Sequence, residues 1–127
     1  MHLVMLAVSG ALGTLARYGG TQLCQRLLGP DFPWGTLVVN GLGSFLLGLL
    51  SHVLLHHPAI PSEWRVPMTT GFLGAFTTFS TFSVETVQLA EAGRLDSAIV
   101  NVVANGTLGL LLAAFGLALG RHWVAIP

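Results

Sequence analysis

The chain has 127 residues, of which 53% are hydrophobic and 8% charged, and its formal net charge is zero. This composition is too apolar and too charge-poor for a soluble domain of this size, so it indicates an integral protein of the lipid bilayer. Without an excess of positive charge, the chain lacks the electrostatic footprint of a protein that binds nucleic acid. The single Cys, at position 24, cannot close an intrachain disulfide.

Four apolar stretches, each about 20 residues long, follow one another along the chain, and this is the length of helix that crosses a bilayer core. We place these helices near 3–25, 34–55, 66–90 and 97–120. The connections between them are short and rich in turn formers or charge. The sequence therefore predicts one four-helix transmembrane domain over residues 1–127, with no linker long enough to separate domains.

The first predicted helix carries Arg17 well inside its apolar run and contains no acidic residue. An unpaired guanidinium at that depth would cost about 2.5–3.5 kcal/mol. Arg17 must therefore reach the membrane surface, find a partner or serve a vestibule. A structural role at a helix terminus and an anion-attracting role are both compatible with this position.

Helices two and four each carry a narrow polar stripe on an apolar body. Asn40 has Thr36 and Ser44 one turn away on the same face, and Asn101 and Asn105 repeat this spacing in the fourth helix. Hydrogen bonds between helices are one interpretation of these stripes. The other is a thin path of N–H and O–H donors for an anion, since the stripes contain no carboxylate.

Residues 71–83, in the third helix, bring together two Gly, five hydroxyl residues and four Phe. Gly exposes backbone and Thr hydroxyls compete for backbone carbonyls, so we expect the helix to break near Gly74 to Thr78. In hydrocarbon the freed backbone groups must be buried in protein or line a polar cavity. The predicted break is therefore a candidate ion site.

Phe79 and Phe82 follow this break, beside Ser80 and Thr81. Aromatic residues of membrane helices usually face lipid or the protein core. A phenyl ring nevertheless has a positive edge, so these rings could also face an anion that has lost part of its water. Glu85, one turn further on, is compatible with proton coupling and equally with a snorkelling or Arg-paired structural acid.

The arginines do not bias the orientation of the chain. Four crossings would place Arg65 and Arg121 on one side and Arg26 and Arg94 on the other, so the positive-inside rule has no excess to act on. The chain could insert both ways and pair as an antiparallel dimer. Alternatively, loops this small carry too few charges for the count to matter.

Residues 71–85, with the pattern GxxGxxTTFSTFSxE, resemble the signature of the bacterial fluoride channels, the Fluc or CrcB family. Residues 10–18 (GALGTLARY) and the segment 36–45 resemble the first-helix and second-helix motifs of the same family. The resemblance covers nearly the whole chain. It implies an all-α membrane protein with four transmembrane helices per subunit and a broken third helix, assembled as an antiparallel, dual-topology homodimer in the bacterial inner membrane.

The resemblance further implies passive export of cytoplasmic fluoride through two pores, with a structural Na⁺ at the dimer centre. Backbone carbonyls that map to Gly74 and Thr77 of both subunits would hold this ion, and Arg17 matches the vestibule Arg. The residues that match or lie at pathway positions are Asn40, Phe79, Phe82, Ser80, Thr81, Asn101 and Asn105.

Two features depart from the family pattern. Ala75 stands where a Gly often follows Gly74, which carbonyl coordination does not require. Asn101 and Asn105 stand at positions of helix four that are often Tyr and Ser, and we expect both to donate hydrogen bonds while altering conductance or gating.

Two other classes of protein compete with a channel, and none of the three is an enzyme. A small dual-topology, proton-coupled multidrug exporter would need a membrane-embedded carboxylate, for which Glu85 is the candidate. A structural subunit that only packs helices would transport nothing. His52 and His56, one turn apart, superficially resemble a metal pair but have no third ligand, so we interpret them as interfacial residues.

Overall fold

The computed structural model describes residues 2–125, and within this range the chain is helical with no strand. The long helices are α1 (His2–Leu28), α2 (Trp34–His56) and α5 (Leu95–Ala125). Between α2 and α5 lie a 3₁₀ turn (Ser62–Trp64), a π-helix (Pro67–Leu73) and two further helices, α3 (Gly74–Phe76) and α4 (Phe79–Glu91). The all-α prediction is confirmed.

Within residues 2–125, three helices, α1, α2 and α5, are long and apolar enough to cross a membrane. Their outer faces expose large apolar side chains, such as Leu3 at 80% and Leu110 at 76%. Contiguous apolar surface of this kind is unstable in water and matches lipid instead. The chain is therefore a membrane protein, and the predicted spans 3–25, 34–55 and 97–120 fall on these three helices.

The predicted third helix, 66–90, is not continuous. Helical structure runs over 67–76, stops at Thr77 and Thr78, and resumes in the 13 residues of α4. A segment of 13 residues is too short to cross a bilayer core alone, since about 20 are needed. The two pieces thus meet within the depth of the bundle, and the break lies beside α2.

Glycines allow the helices to approach closely. A Cβ on Gly116 would overlap the Phe45 carbonyl oxygen, and one on Gly13 would overlap the Phe72 carbonyl oxygen. Contacts along α2 and α5 advance together, from Gly41 with Leu112 to Phe45 with Gly116 and Leu49 with Gly120. These two helices therefore run parallel, as alternate spans of an up-and-down bundle do.

The helix α1 runs antiparallel to α2, since Thr21 packs on Gly35 and Gly20 packs near Val39. The start of α1 and the ends of α2 and α5 therefore share one end of the bundle. That end carries Arg65 and Arg121, whereas Arg26 and Arg94 lie at the other end. These four arginines are divided equally between the two ends, as the sequence predicts.

Replacing Gly116 by Ala is expected to lower the free energy of unfolding by about 1–3 kcal/mol, because the added methyl group meets the α2 backbone. The measurement is thermal or denaturant unfolding in detergent. Gly106→Ala in the same helix is the matched control, since a Cβ there would meet nothing within 4 Å. Equal effects of the two substitutions would contradict close packing at Gly116.

Candidate functional site

The helix break consists of two extended residues, Thr77 (φ −82°, ψ 158°) and Thr78 (φ −151°, ψ 113°). It falls at the C-terminal edge of the predicted range. Gly74 remains helical (φ −63°, ψ −35°), so the break occupies only the last two residues of the predicted range. Hydrogen bonds to the threonine backbone, rather than glycine flexibility, define where the helix stops.

Asn40 pairs with the backbone of Thr78. Its Oδ1 accepts from the Thr78 N–H at 2.8 Å, and its Nδ2 donates to the Thr78 carbonyl at 3.1 Å. Thr78 is buried, with 8% of its surface exposed. One side chain therefore satisfies both peptide groups that the extended residue would otherwise leave unpaired.

Thr78 also begins the next helix. Its hydroxyl oxygen accepts from the Thr81 N–H at 3.2 Å, which is the N-cap arrangement, and its hydroxyl donates to Thr81 Oγ1 at 2.9 Å. Asn40 holds the Thr78 backbone and Thr78 caps α4. The direction in which α4 departs, and with it the placement of Phe79 and Phe82, thus depends on this contact.

A directed chain of amide hydrogen bonds extends from Asn40 into α5. Asn40 Nδ2 donates to Asn105 Oδ1 at 3.2 Å, and Asn105 Nδ2 donates to Asn101 Oδ1 at 2.9 Å and to the Asn101 carbonyl at 3.0 Å. Asn101 Nδ2 in turn donates to Thr86 Oγ1 at 2.9 Å. The polar stripes of helices two and four therefore meet side by side, and Thr86 joins them to the third predicted helix.

A groove of about 450 Å³ opens beside the break, and we call it the central groove. Its lining contains no charged residue and comprises Asn40, Gly43, Ser44, Leu47, Thr77, Thr78, Phe79, Phe82, Val102, Asn105 and Gly106. The rings of Phe79 and Phe82 lie 5.6 Å apart between centroids, tilted by 52°. The structure thus brings four of the predicted pathway residues together: Asn40, Phe79, Phe82 and Asn105.

A second groove, of about 240 Å³, contains the predicted vestibule residue Arg17, and we call it the Arg17 groove. Arg17 is half-buried. The lining is otherwise neutral and comprises Thr14, Tyr18, Thr21, Gln22, Thr36, Thr78 and Thr81. Thr78 lines both grooves, so the break lies between the Arg17 groove and the central groove with its two phenyl rings.

Three predicted site residues lie outside both grooves. Asn101 is fully buried, with 0% of its surface exposed, and is held between Thr86 and Asn105. Ser80 is exposed, with its hydroxyl 3.5 Å from that of Thr78. Gly74 is exposed, at the surface of the chain.

Sequence reasoning did not select Thr78 as a site residue, although it touches both grooves. A signal was present in the sequence, because Thr78 stands directly before the apolar Phe79, as N-cap residues do. Its pairing with Asn40 spans 38 residues and left no local signal.

Glu85 is bound by a threonine rather than an arginine. Thr36 Oγ1 donates to Glu85 Oε1 at 2.9 Å, while Oε2 is buried without a hydrogen-bond partner among residues 2–125. The interpretation of Glu85 as an Arg-paired acid is therefore wrong. This carboxyl group lies outside the central groove.

The fold and the break together define an integral membrane protein with a candidate ion path through its polar interior. The profile of the family described as "CrcB-like protein, Camphor Resistance (CrcB)" matches residues 4–117. The chain belongs to the CrcB family, and the resemblance noted in the sequence is confirmed.

Curated relatives cover almost the whole chain. The protein named "Fluoride-specific ion channel FluC" of Syntrophotalea carbinolica is 47% identical over 96% of this chain and 99% of its own. The proteins of the same name from Dehalococcoides mccartyi and Geobacter metallireducens are each 45% identical, over 94% and 96% of this chain and 92% and 98% of their own.

Asn40→Leu is expected to lower the free energy of unfolding by about 2–4 kcal/mol, because it leaves the buried Thr78 N–H and C=O without partners. Unfolding in detergent measures this loss. Ser83→Ala is the control, since it removes an exposed hydrogen bond, to the Phe79 carbonyl, and should change stability by less than about 0.5 kcal/mol. If Asn40→Leu lowered the free energy of unfolding as little as Ser83→Ala, the pairing of Asn40 with Thr78 would not hold the break.

Proposed function

We propose that this chain forms a fluoride-selective channel that exports cytoplasmic fluoride passively. The observation that carries the proposal is the central groove, where two amides, hydroxyl groups and two phenyl rings lie beside a helix break without any charged side chain. The names of the curated relatives support the same ion.

Fluoride is small and strongly hydrated, so a path for it must replace water with hydrogen-bond donors. The Thr81 hydroxyl, the Asn40 amide and the edges of Phe79 and Phe82 are neutral donors or positive ring edges. The exposed Ser80 hydroxyl, outside both grooves, would join them only where a second copy of the chain covers it. Neutral groups bind an anion weakly enough for it to leave again, as conduction requires. The narrowness of the path would exclude chloride. The membrane potential and acid-trapped fluoride inside the cell would drive export.

The Arg17 groove is suited to attract the anion. Its guanidinium is half-buried beside hydroxyl residues, and Thr81 and Thr78 lie in the same lining. A fixed positive charge at the side of a low-dielectric path raises the local concentration of anions. We assign Arg17 this vestibule role, with Thr78 and Thr81 as the next groups along the path.

A second copy of the chain would complete the site. Phe79 is 79% exposed and the central groove is open at the surface of the subunit. The equal division of Arg between the two ends is compatible with insertion in both orientations. We therefore propose an antiparallel, dual-topology homodimer of four-span subunits with two fluoride paths, located in the bacterial inner membrane.

A structural Na⁺ at the centre of this dimer fits the residues at the break. Thr77 is extended (ψ 158°), so its carbonyl has left the helical direction, and the exposed Gly74 lies on the surface that a second copy would cover. Carbonyl oxygens of Gly74 and Thr77 from both subunits would hold the ion. A bound cation supplies positive charge that offsets the anions in the paths.

The exporter alternative depends on Glu85, and the geometry does not favour it. Its Oε1 accepts from Thr36, and the carboxyl group lies outside the central groove. A cationic substrate in that groove would meet only neutral groups. In the central groove the lining therefore favours a neutral anion path over this exchange chemistry.

Proteoliposomes containing the purified protein are expected to release fluoride without an accompanying chloride leak. Phe79→Ile and Phe82→Ile remove the ring edges and should slow fluoride release by about ten-fold or more, which corresponds to about 1.4 kcal/mol or more. Phe115→Ile, at an exposed aromatic residue that stacks on Phe45 away from the groove, is the control and should not change the rate. Equal leak of both halides, or unaltered release by both groove variants, would contradict the proposal.

Dual insertion predicts that one loop is accessible from both sides of the membrane. In a Cys24→Ser background, Asp31→Cys and Ser62→Cys place a thiol at opposite ends of the bundle. An impermeant maleimide applied to whole cells is expected to label about half of each variant. Labelling of one variant alone would contradict dual insertion while leaving fluoride transport to be judged by the efflux assay.

A further inference from the structure

Both amide hydrogens of Asn40 are already in use. Nδ2 donates to the Thr78 carbonyl at 3.1 Å and to Asn105 Oδ1 at 3.2 Å. A primary amide has only two N–H donors. A fluoride ion that binds at Asn40 must therefore displace one of these two acceptors.

The bond to Asn105 is the one that an anion can displace. The Thr78 bond belongs to a reciprocal pair, whose other member runs from the Thr78 N–H to Asn40 Oδ1 at 2.8 Å, and it satisfies buried backbone at the break. Breaking it would leave a buried carbonyl unpaired. Asn105, by contrast, lines the open central groove, where its oxygen can turn to another donor.

The amide chain fixes which end of Asn105 faces Asn40. Asn105 Nδ2 is held by two acceptors of Asn101, its side-chain oxygen and its carbonyl. Asn101 Nδ2 donates to Thr86 Oγ1, and the Thr86 hydroxyl donates to the Phe82 carbonyl at 2.7 Å. Every bond in the chain runs in one direction, so Asn105 presents its oxygen to Asn40 and keeps its N–H groups away.

This orientation corrects the expectation that Asn105 lines the path as a donor. Both of its N–H groups point to Asn101, and only an acceptor oxygen is directed at Asn40. An amide oxygen repels an anion and competes with it for the same donor. Asn101, buried behind it, cannot reach the groove and instead maintains the orientation of Asn105.

We propose that Asn105 sets the fluoride affinity of the channel by competing with the ion for one N–H of Asn40. Asn101 and Thr86 act as positioning residues, because they fix the direction of the amide chain. The inference rests on the proposed fluoride channel function and deepens it. When fluoride arrives, Asn40 keeps its bonds to Thr78 and exchanges the Asn105 oxygen for the anion. The helix break therefore keeps its hydrogen bonds while one N–H of Asn40 binds fluoride.

The exchange is favourable because a hydrogen bond to an anion is roughly twice as strong as a neutral one. The competing oxygen still reduces the net gain. Weakened binding suits a channel, since an ion that is held too tightly does not leave. Asn105 would thus lower the affinity of the path for fluoride and raise the rate at which the ion leaves.

Asn105→Ser is the principal test. Hydroxyl side chains in these helices bond to the carbonyl four residues back, as Thr86 does to Phe82 and Ser83 does to Phe79. A Ser at 105 would therefore bond to the Asn101 carbonyl and withdraw the acceptor from Asn40. The fluoride concentration that gives half-maximal efflux is expected to fall about three- to ten-fold, the effect of releasing one neutral hydrogen bond.

Asn105→Asp is the matched opposite. It keeps an acceptor against Asn40 and adds a negative charge in the groove, so half-maximal efflux should require about ten-fold more fluoride or more. Thr107→Val, at an exposed position of the same helix, is the neutral control. Unfolding temperature in detergent is measured for every variant.

The outcomes separate this inference from the proposed function. If the wild-type protein moves no fluoride, the proposed function fails. If wild type moves fluoride but Asn105→Ser leaves the half-saturating fluoride concentration unchanged or raises it, competition by Asn105 is overturned. A lower unfolding temperature without a lower half-saturating concentration is the signature of a purely structural residue. Should Asn105→Ser not fold, Asn105→Ala serves as the acceptor-free variant with the same expected shift. An unchanged half-saturating fluoride concentration for Asn105→Asp would also overturn the proposal.

Discussion

The pairing of the Asn40 amide with the Thr78 backbone is the contact on which the rest of the site depends. An extended residue inside an apolar bundle frees one N–H and one C=O, and in hydrocarbon each unpaired group costs several kcal/mol. Asn40 satisfies both from a neighbouring helix. Because the break is held in this way, Thr78 can cap α4, α4 can start in a new direction, and Phe79 and Phe82 can border the central groove.

The same contact explains why structure and transport use the same residues. A membrane helix cannot be broken without donors and acceptors nearby, and donors at a break are what a dehydrated anion needs. Asn40 supplies both functions with one amide, and the chain through Asn105, Asn101 and Thr86 orders it. The polar stripes are thus hydrogen-bonded bundle contacts as well as candidate path lining, and the two interpretations that the sequence left open are compatible.

Hydropathy was sufficient to predict the long helices, because α1, α2 and α5 each satisfy the bilayer length and composition on their own. Local chemistry also predicted a break in the third segment, since Gly and Thr both oppose a continuous helix there. It could not identify the extended residues. Gly74 had the flexibility to leave the helix, yet Thr77 and Thr78 did so, because Asn40 lies 38 residues away in sequence and offers its amide only in the folded bundle.

The sequence also could not predict the orientation of the Asn side-chain amides. Asn101 and Asn105 share one face of the fourth predicted helix, and hydrogen bonds between helices were one of two interpretations of this stripe. The structure shows the bond from Asn40 to Asn105 and the bond from Asn105 to Asn101. Whether each presents its nitrogen or its oxygen depends on where the chain of bonds ends, and it ends at Thr86, whose hydroxyl is committed to the Phe82 carbonyl. The buried position of Asn101 and the threonine partner of Glu85 likewise follow from tertiary contacts and not from spacing.

The most direct test of the central claim is an experimental structure of the protein in lipid, determined with and without a high concentration of fluoride. If Asn40 holds the break, Thr78 is extended and paired with Asn40 in both conditions, and an anion lies within hydrogen-bond distance of Asn40 Nδ2, near the edges of Phe79 and Phe82, in fluoride alone. A continuous helix through Thr77 and Thr78, or fluoride bound away from Asn40 in a protein that transports it, would show that Asn40 neither holds the break nor binds the ion.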